Sequence, residues 1–450
     1  MSRNAAASVF LFLVSAAAFS AELSLEEIRR AAVISSPTLK KMELSRQNLA
    51  LAKMADYFKY LPSPSASASA SYPLLDDSPL PEPRERLSAG VSLSIRESIT
   101  VYDGGKSRID RSNRALEDSS LDAETAAALF AVIEEADNRY FNYQEAAAAL
   151  ETAGLQMEMS SLTLEIAEIR RAGGLLSPGD YYLALSDKAA AEGALAAAQT
   201  GFSLAKTRLE QFSGIDSIEG LLPVNFDDYE GLFTGISRWA MEEIEDRYQK
   251  LRAGLSSRSP ALKSASISLK QAENNYALSK SAFLPSMDLS LSFNLGYNFT
   301  ARSPAKPLSY GASVTLGGTI PLDYWVLSNN ERRQKNILES SRIVYGDALA
   351  AFDIELRSQL FTLAGSARAL ISSRRQAEYS ALLLEQQQEL FRLSSAPMTT
   401  LLDASSRSLS SETQKTKAEF SFLRSLSALK SLGAFDEEEL FGLLGNPDNQ

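Results

Sequence analysis

The sequence predicts a mainly α-helical α+β membrane protein made of two tandem structural repeats, each combining a two-stranded hairpin with a coiled-coil hairpin of long helices. Three observations support this fold class. Ser36-Pro37 and Leu61-Pro62-Ser63 recur 223 residues later as Ser259-Pro260 and Leu284-Pro285-Ser286. Four stretches alternate apolar and polar residues, which is typical of strands with one apolar face. Two segments, 105–171 and 329–393, contain no proline and predict long helices.

The composition excludes several functional classes. The 450 residues include no histidine and no cysteine, so imidazole or thiolate catalysis, the corresponding metal sites and disulfides are excluded. The net charge of −11 without a basic cluster argues against nucleic acid as a partner. The sequence therefore predicts neither an enzyme nor a cofactor-binding or metal-binding protein.

Gly104-Gly105-Lys106-Ser107 resembles the end of a phosphate-binding loop. The first glycine of that motif is required five residues before Gly105, where this chain has Thr100. We therefore reject nucleotide binding at this position.

The first twenty residues predict a cleaved signal peptide. Arg3 gives a positive start, residues 5–18 are mostly apolar, and small residues precede a cleavage site after Ser20. An uncleaved anchor helix is the alternative, but the apolar stretch is shorter than the ~20 residues that a spanning helix needs. Export from the cytoplasm is the predicted outcome.

The first repeat is expected to span residues 21–214. Its hydrophobic period changes from helical to alternating after Leu61-Pro62, and back to helical near residue 105. The predicted elements are strands at about 64–73 and 87–97, a long helix at about 105–171 and a helical tip at 172–180. A returning helix ends at Gly214.

The second repeat is expected to span residues 258–433, after an insert at 215–257. The predicted elements are strands at about 286–299 and 309–321, a long helix at about 329–393 and a tip at 394–400. An acidic tail, 434–450, follows.

Apolar positions along the first long helix recur at alternating spacings of four and three. This heptad pattern predicts left-handed packing of long helices. The predicted core positions are Leu129, Ile133, Ala136, Tyr140, Tyr143, Ala147, Leu150, Gly154 and Met157.

The alternating strands predict a barrel formed by several chains. Their apolar faces would meet lipid, while serine and asparagine would line a wet interior. Four strands cannot close a barrel, so the chain must oligomerise. The faces formed by residues 66–72, 87–95 and 287–299 carry no charge. Uncharged faces of this kind favour contact with lipid.

Four motifs resemble the outer membrane efflux protein family of the TolC type. Leu23-Ser24-Leu25-Glu26-Glu27 resembles the opening helix of that family, and Leu61-Pro62-Ser63 resembles the approach to its barrel. Tyr102-Asp103-Gly104-Gly105 is similar to its strand-to-helix turn, and Leu401-Leu402-Asp403-Ala404 to its second helical tip. At the second strand-to-helix turn the family has paired glycines and this chain has Ser328-Asn329-Asn330. We expect the turn to be kept, because asparagine tolerates left-handed backbone.

The resemblance implies a homotrimer in which twelve strands form an outer membrane β-barrel and the helices form a periplasmic α-helical tunnel. It implies a passive exit duct of a tripartite efflux or type I secretion system. The alternative is a non-transporting periplasmic or outer membrane coiled-coil scaffold or adhesive protein. Such a protein could tolerate charges on the apolar strand faces, so the uncharged faces favour the duct. The implied partners are outer membrane lipid, a periplasmic adaptor (membrane fusion) protein, and an inner membrane pump of the resistance-nodulation-division or ABC type.

The resemblance also implies two sets of site residues. Adaptor docking would involve the two helical tips, with candidate residues Gly173, Gly174, Leu175, Ser177, Pro178, Ser394, Ser395 and Pro397. The periplasmic aperture would be formed by Asp403 and Thr400, with Arg407 as a local hydrogen-bond donor to Asp403. The alternative for Asp403 is an exposed carboxylate without a gating role.

Overall fold

The computed structural model describes residues 23–58, 63–71, 88–298, 308–393 and 397–433, together with residues 395 and 442. The predicted signal peptide, the acidic tail and both strand-connecting loops lie outside these residues, apart from Gly442. The chain divides into two compact units. We call residues 40–127 and 260–352 the sheet unit, and residues 1–39, 128–259 and 353–450 the tip unit. Each unit combines segments of both predicted repeats.

The described residues are mainly helical and contain four strands. The helices are α1 (Leu25–Ser35), α2 (Pro37–Phe58), α3 (Lys106–Ala172), α4 (Pro178–Ser213), α5 (Glu230–Ser237), α6 (Met241–Leu255), α7 (Pro260–Ser281), α8 (Tyr324–Arg392) and α9 (Met398–Gly433). The strands are β1 (Ser63–Ser71), β2 (Ser88–Tyr102), β3 (Ser286–Asn298) and β4 (Leu308–Thr319). Within the described ranges, no helix combines the length and the apolar character needed to span a bilayer.

The internal repetition predicted from the sequence is visible in the structure. Helices α2 and α7 both have 22 residues, and Pro37 and Pro260, at which they begin, are 223 positions apart. Strands β1 and β3 begin at Ser63 and Ser286, which are separated by the same interval. The repeated sequence motifs therefore mark repeated elements.

The four strands form one antiparallel sheet in the order β1-β2-β3-β4. Within it, β1 pairs with β2 and β3 pairs with β4, each as a hairpin of one repeat. The central pair, β2 and β3, joins the two repeats. Among the described strands, β1 and β4 are the edges.

The register places the apolar residues of all four strands on one face. Ala66 lies opposite Leu93, Leu93 opposite Leu295, and Leu295 opposite Tyr310. Because side chains alternate along a strand, the intervening positions form the second face. Its described residues are mostly serine, threonine, glycine and asparagine.

Strand β2 continues five residues beyond the predicted end, and this adds a charge to the apolar face. Glu97 lies opposite Leu291, between Ile95 and Ile99 on that face. Its two carboxylate oxygens are buried and have no hydrogen-bond partner in the described part of the chain. An irregularity in the register between Thr100 and Tyr102 follows.

A glycine turn connects β2 to α3. Gly104 and Gly105 have φ angles of +69° and +88°, which favour glycine. Asp103 caps the helix, accepting hydrogen bonds from the amides of Gly105 at 2.9 Å and Ser107 at 2.6 Å. The hydroxyl and amide of Ser107 lower the pKa of the Asp103 carboxyl. This carboxylate occupies the helix N-terminus where a phosphate-binding loop would hold phosphate.

Helix α8 begins five residues earlier than predicted. The amides of Val326 and Leu327 bond to the carbonyl of Asp323, which starts the helix directly after Pro321 and Leu322. Ser328-Asn329-Asn330 therefore lies inside the first turns of α8, and the expected turn at these residues is wrong.

In the tip unit, α1 packs against α3 and α4. Ser24 and Glu27 form a capping box at the start of α1. Ala32 is buried against Val132 and Ala136 of α3, with Phe212 of α4 packed beside them. These contacts attach the first helix to the long helical hairpin.

The predicted heptad core of α3 is buried in its central part. Ala136, Tyr140 and Tyr143 are buried, whereas the predicted positions toward either end are half-buried. Burial extends to Phe141, which packs on Phe420 of α9.

Arginines attach the helices of the insert, α5 and α6, to α8. Arg252 of α6 forms a bidentate pair with Asp353, at 2.7 and 2.9 Å. Arg357 pairs with Glu245 at 2.9 Å, and Arg368 donates to the carbonyl oxygens of Ser237 and Trp239. The insert is thus fixed within the tip unit.

Candidate functional site

The first helical tip closes with a Schellman motif. Helix α3 ends at Ala172, and Gly174 has a φ angle of +72°. The amide of Gly174 donates to the carbonyl of Arg171, and the amide of Leu175 donates to that of Arg170. These two bonds satisfy carbonyls that a helix end leaves unpaired, and the left-handed residue explains the glycine.

Leu175 is the most exposed large apolar side chain of this tip, at 82%. Ser177 caps α4 by accepting a hydrogen bond from the amide of Asp180 at 3.1 Å. Pro178 occupies the first helical position, where a missing amide costs nothing. The tip therefore presents an apolar side chain on a rigid turn between two capped helices.

The second tip closes with a similar bond. The amide of Ser395 donates to the carbonyl of Leu390 at 2.9 Å, spanning five residues as in the first tip. Pro397 precedes α9 and accepts a hydrogen bond from the hydroxyl of Thr400 at 2.7 Å. Ser394 lies outside the described residues. Ser395 stands where the first tip has Leu175, so the two tips present different side chains.

Four helices meet in an apolar cluster behind the tips. Leu164 and Ala167 of α3 and Ala184 of α4 pack with Phe391 of α8, together with Met398 and Leu401 of α9. The Arg170 guanidinium lies 4.0 Å from the centre of the Phe391 ring and donates to the Phe391 carbonyl oxygen at 2.8 Å. Sequence spacing could not reveal this link, because its residues are 221 positions apart.

The aperture candidates lie on the first turns of α9. Arg407 Nη2 is 3.0 Å from Asp403 Oδ2, and both side chains are well exposed. Thr400 donates its hydroxyl to the carbonyl oxygen of Pro397, directly before the helix begins. In one chain, Asp403 and Arg407 thus form an exposed ion pair one helical turn apart.

A buried polar cluster in the tip unit was not predicted from the sequence. Asp137 of α3 is fully buried and accepts two hydrogen bonds from Arg29 of α1, at 2.6 and 2.8 Å. Ser427 of α9 donates a third, at 2.6 Å. Burial alone would lower the pKa of Arg29, but the hydrogen bonds and charge of Asp137 raise it. Three helices distant in sequence are joined at this point.

The polar face of the sheet carries hydrogen bonds between neighbouring strands. Ser67 and Ser92 are joined through their hydroxyls at 2.8 Å, and Ser292 and Ser313 at 2.7 Å. This face presents hydroxyl and amide groups that water can solvate.

Comparison with known proteins agrees with this architecture. Residues 252–433 match the family of outer membrane efflux proteins. None of the curated proteins matches the chain.

Solved outer membrane channels have the same fold. The outer membrane protein VceC of Vibrio cholerae is 16% identical, with a TM-score of 0.71 over 91% of this chain and 96% of that one. The CmeC channel of Campylobacter jejuni is 15% identical, with a TM-score of 0.73 over 95% and 90%. The MtrE channel of Neisseria gonorrhoeae is 18% identical, with a TM-score of 0.69 over 91% and 88%. At these identities the likeness establishes the fold.

The family match covers the second repeat, and the structural likeness extends over nearly the whole chain. The resemblance to the outer membrane efflux protein family, predicted from the sequence, is therefore confirmed.

Proposed function

We propose that three copies of this chain form a passive outer membrane duct that a periplasmic adaptor connects to an inner membrane pump. The duct would serve a tripartite efflux or type I secretion system, with a pump of the resistance-nodulation-division or ABC type. The observation that carries the proposal is the four-stranded sheet, which has one apolar face, one polar face and two unpaired edges in the described chain.

The dimensions of the sheet fit an outer membrane. On β2, Val91 lies opposite Tyr297 near one end, and Tyr102 lies opposite Met287 at the other. At ~3.3 Å per residue and a tilt of ~40°, the eleven intervening steps cover about 28 Å. This is close to the ~25 Å apolar band of outer membrane barrels. Glu97 is the charged exception on this face among the described residues, and acidic groups cost less there than basic ones.

The tip unit also presents an apolar stripe suited to another copy. Leu155, Leu162 and Ile169 of α3 follow at intervals of seven residues and are 56%, 53% and 66% exposed. A heptad stripe that stays exposed in one chain is suited to helix packing between chains.

The trimer is tested by measuring the mass of the protein in mild detergent. We expect three chains per particle and recovery with the outer membrane, because closing the sheet removes both edges. A monomer in detergent, or recovery in the soluble periplasmic fraction, would contradict the proposal and favour the non-transporting scaffold.

We further propose that the first tip docks the adaptor through Leu175. Buried apolar anchors at interfaces commonly contribute ~2 kcal/mol, about thirtyfold in affinity. Leu175→Asp is therefore expected to abolish site-specific crosslinking to the adaptor and to stop export, while the trimer stays intact. Ser395→Asp, at the equivalent place in the second tip, is the matched control. Equal loss of crosslinking and export in both variants would show that both tips dock the adaptor. If neither variant lost crosslinking or export, the tips would have no part in docking.

For the aperture, we propose that three copies of Asp403 lie around the tunnel mouth, each paired with its own Arg407. The 3.0 Å ion pair supports this arrangement, because it would offset part of the repulsion between the three carboxylates. Thr400 would line the same mouth one turn away.

A further inference from the structure

The polar face of the sheet is nearly free of charge. On its described positions, the residues are serine, threonine, glycine and asparagine, with one acid, Asp288, and one base, Arg96. Arg96 lies opposite Ser292 on β3, and Asp288 lies opposite Thr100 on β2. Both charges are therefore on the two central strands and away from the edges.

Asp288 is held in place on this face. The Thr100 hydroxyl donates to its Oδ1 at 2.8 Å across the strand pair. Because β3 begins at Ser286, directly after the segment that follows α7, Asp288 is near the end of the sheet that connects to the helices. Arg96 lies four residues farther along, about 13 Å at ~3.3 Å per residue.

We infer that Asp288 and Arg96 determine whether the barrel lumen favours cations or anions. The copies of each residue would form a ring around the lumen, so that an acidic belt and a basic belt lie at different heights. The inference rests on the proposed trimer, which presents each residue three times. A molecule leaving the helical part would meet the acidic belt first and the basic belt second.

The two belts act separately at moderate salt. The Debye length is ~10 Å at 0.1 M, shorter than the 13 Å separation estimated above. Three unit charges about 10 Å from the pore axis then change the permeability of each ion by about twofold, in opposite directions for cations and anions, and so change the ratio of the two by about fourfold. At ~0.01 M the Debye length of ~30 Å exceeds the separation, and the belts compensate each other.

The test is the reversal potential of single channels in planar bilayers under a potassium chloride gradient. Asp288→Asn is expected to shift the permeability ratio about fourfold toward anions, and Arg96→Gln about fourfold toward cations. The double variant is expected to return close to the original ratio. Asp403→Asn removes a charge proposed at the tunnel mouth and serves as a control. The shift in selectivity caused by Asp288→Asn is expected to be the same with or without Asp403→Asn in the same chain.

A second measurement distinguishes the loss of a charge from the misfolding of a variant. The chain contains no cysteine, so a single introduced thiol is labelled uniquely. The Asp288→Cys variant can be labelled with a thiol-reactive compound that carries a negatively charged sulfonate. We expect this label to restore the original selectivity, whereas a neutral thiol-reactive compound should not restore it. Leu289→Cys, one residue away on the apolar face, is expected to leave selectivity unchanged with either reagent.

The outcomes separate the two proposals. Conducting channels with the same selectivity in every variant would overturn the role of Asp288 and Arg96 and leave the duct in place. Absence of conductance in the unmodified protein, together with a monomeric mass in detergent, would overturn the duct itself.

Discussion

Replacing Asp137 with alanine is expected to lower the free energy of unfolding by about 3 kcal/mol, because it leaves the buried Arg29 guanidinium with the exposed Glu26 as its counter-ion. The Asp137 carboxylate accepts three hydrogen bonds, from α1 and α9, and its side chain is inaccessible to solvent. Denaturant unfolding of the detergent-solubilised protein, followed by circular dichroism, measures the loss.

The matched control is Glu245→Ala, which breaks the more exposed pair with Arg357. Exposed ion pairs contribute up to ~1 kcal/mol, so this variant should lose far less stability. A double variant, Arg29→Met with Asp137→Leu, is expected to recover much of the loss, because an apolar pair needs no counter-ion. Equal losses for Asp137→Ala and Glu245→Ala would refute the importance of the buried cluster.

Replacing Gly104 with alanine is expected to lower the free energy of unfolding by about 2–5 kcal/mol, because backbone strain in the left-handed region adds to overpacking. Gly104 has a φ angle of +69°. A Cβ atom there would lie 2.9 Å from the Leu284 Cβ and 3.0 Å from the Ser281 carbonyl oxygen. The same unfolding measurement applies.

Gly105→Ala separates the two causes. Gly105 also has a positive φ, of +88°, but an added Cβ would meet no atom within 4 Å. Its expected cost is therefore the strain alone, about 1–2 kcal/mol. If both variants unfold at the same denaturant concentration, the contact with Leu284 has no part in stabilising the turn.

The elements with regular spacing could be predicted from the sequence. The helical hydrophobic period before Leu61 predicted α2, and the alternation of Met287 through Tyr297 predicted β3. The end of β2 was harder to predict, because Glu97 interrupts the apolar alternation. Pairing with β3 extends the strand to Tyr102 despite this residue.

The start of α8 was misjudged because Asn329 and Asn330 have turn propensity. This turn propensity is weak, and the helix that begins at the Asp323 carbonyl continues through both asparagines. The buried contacts of Asp137 could not be predicted either, since its partners are 108 and 290 residues away. A single sequence carries no signal for such distant polar pairs. The roles of Leu175 and Asp403 remain predictions.

The pairing of β2 with β3 also constrains the order in which the sheet can fold. The hydroxyl pairs within each hairpin join residues 25 and 21 positions apart, whereas Thr100 and Asp288 are 188 positions apart. Closing the longer loop costs about 1.8 kcal/mol more in chain entropy. Each hairpin can therefore form as soon as its own two strands are available, but β2 keeps an open edge until β3 is present as well. During that interval the chain is most exposed to edge-to-edge aggregation.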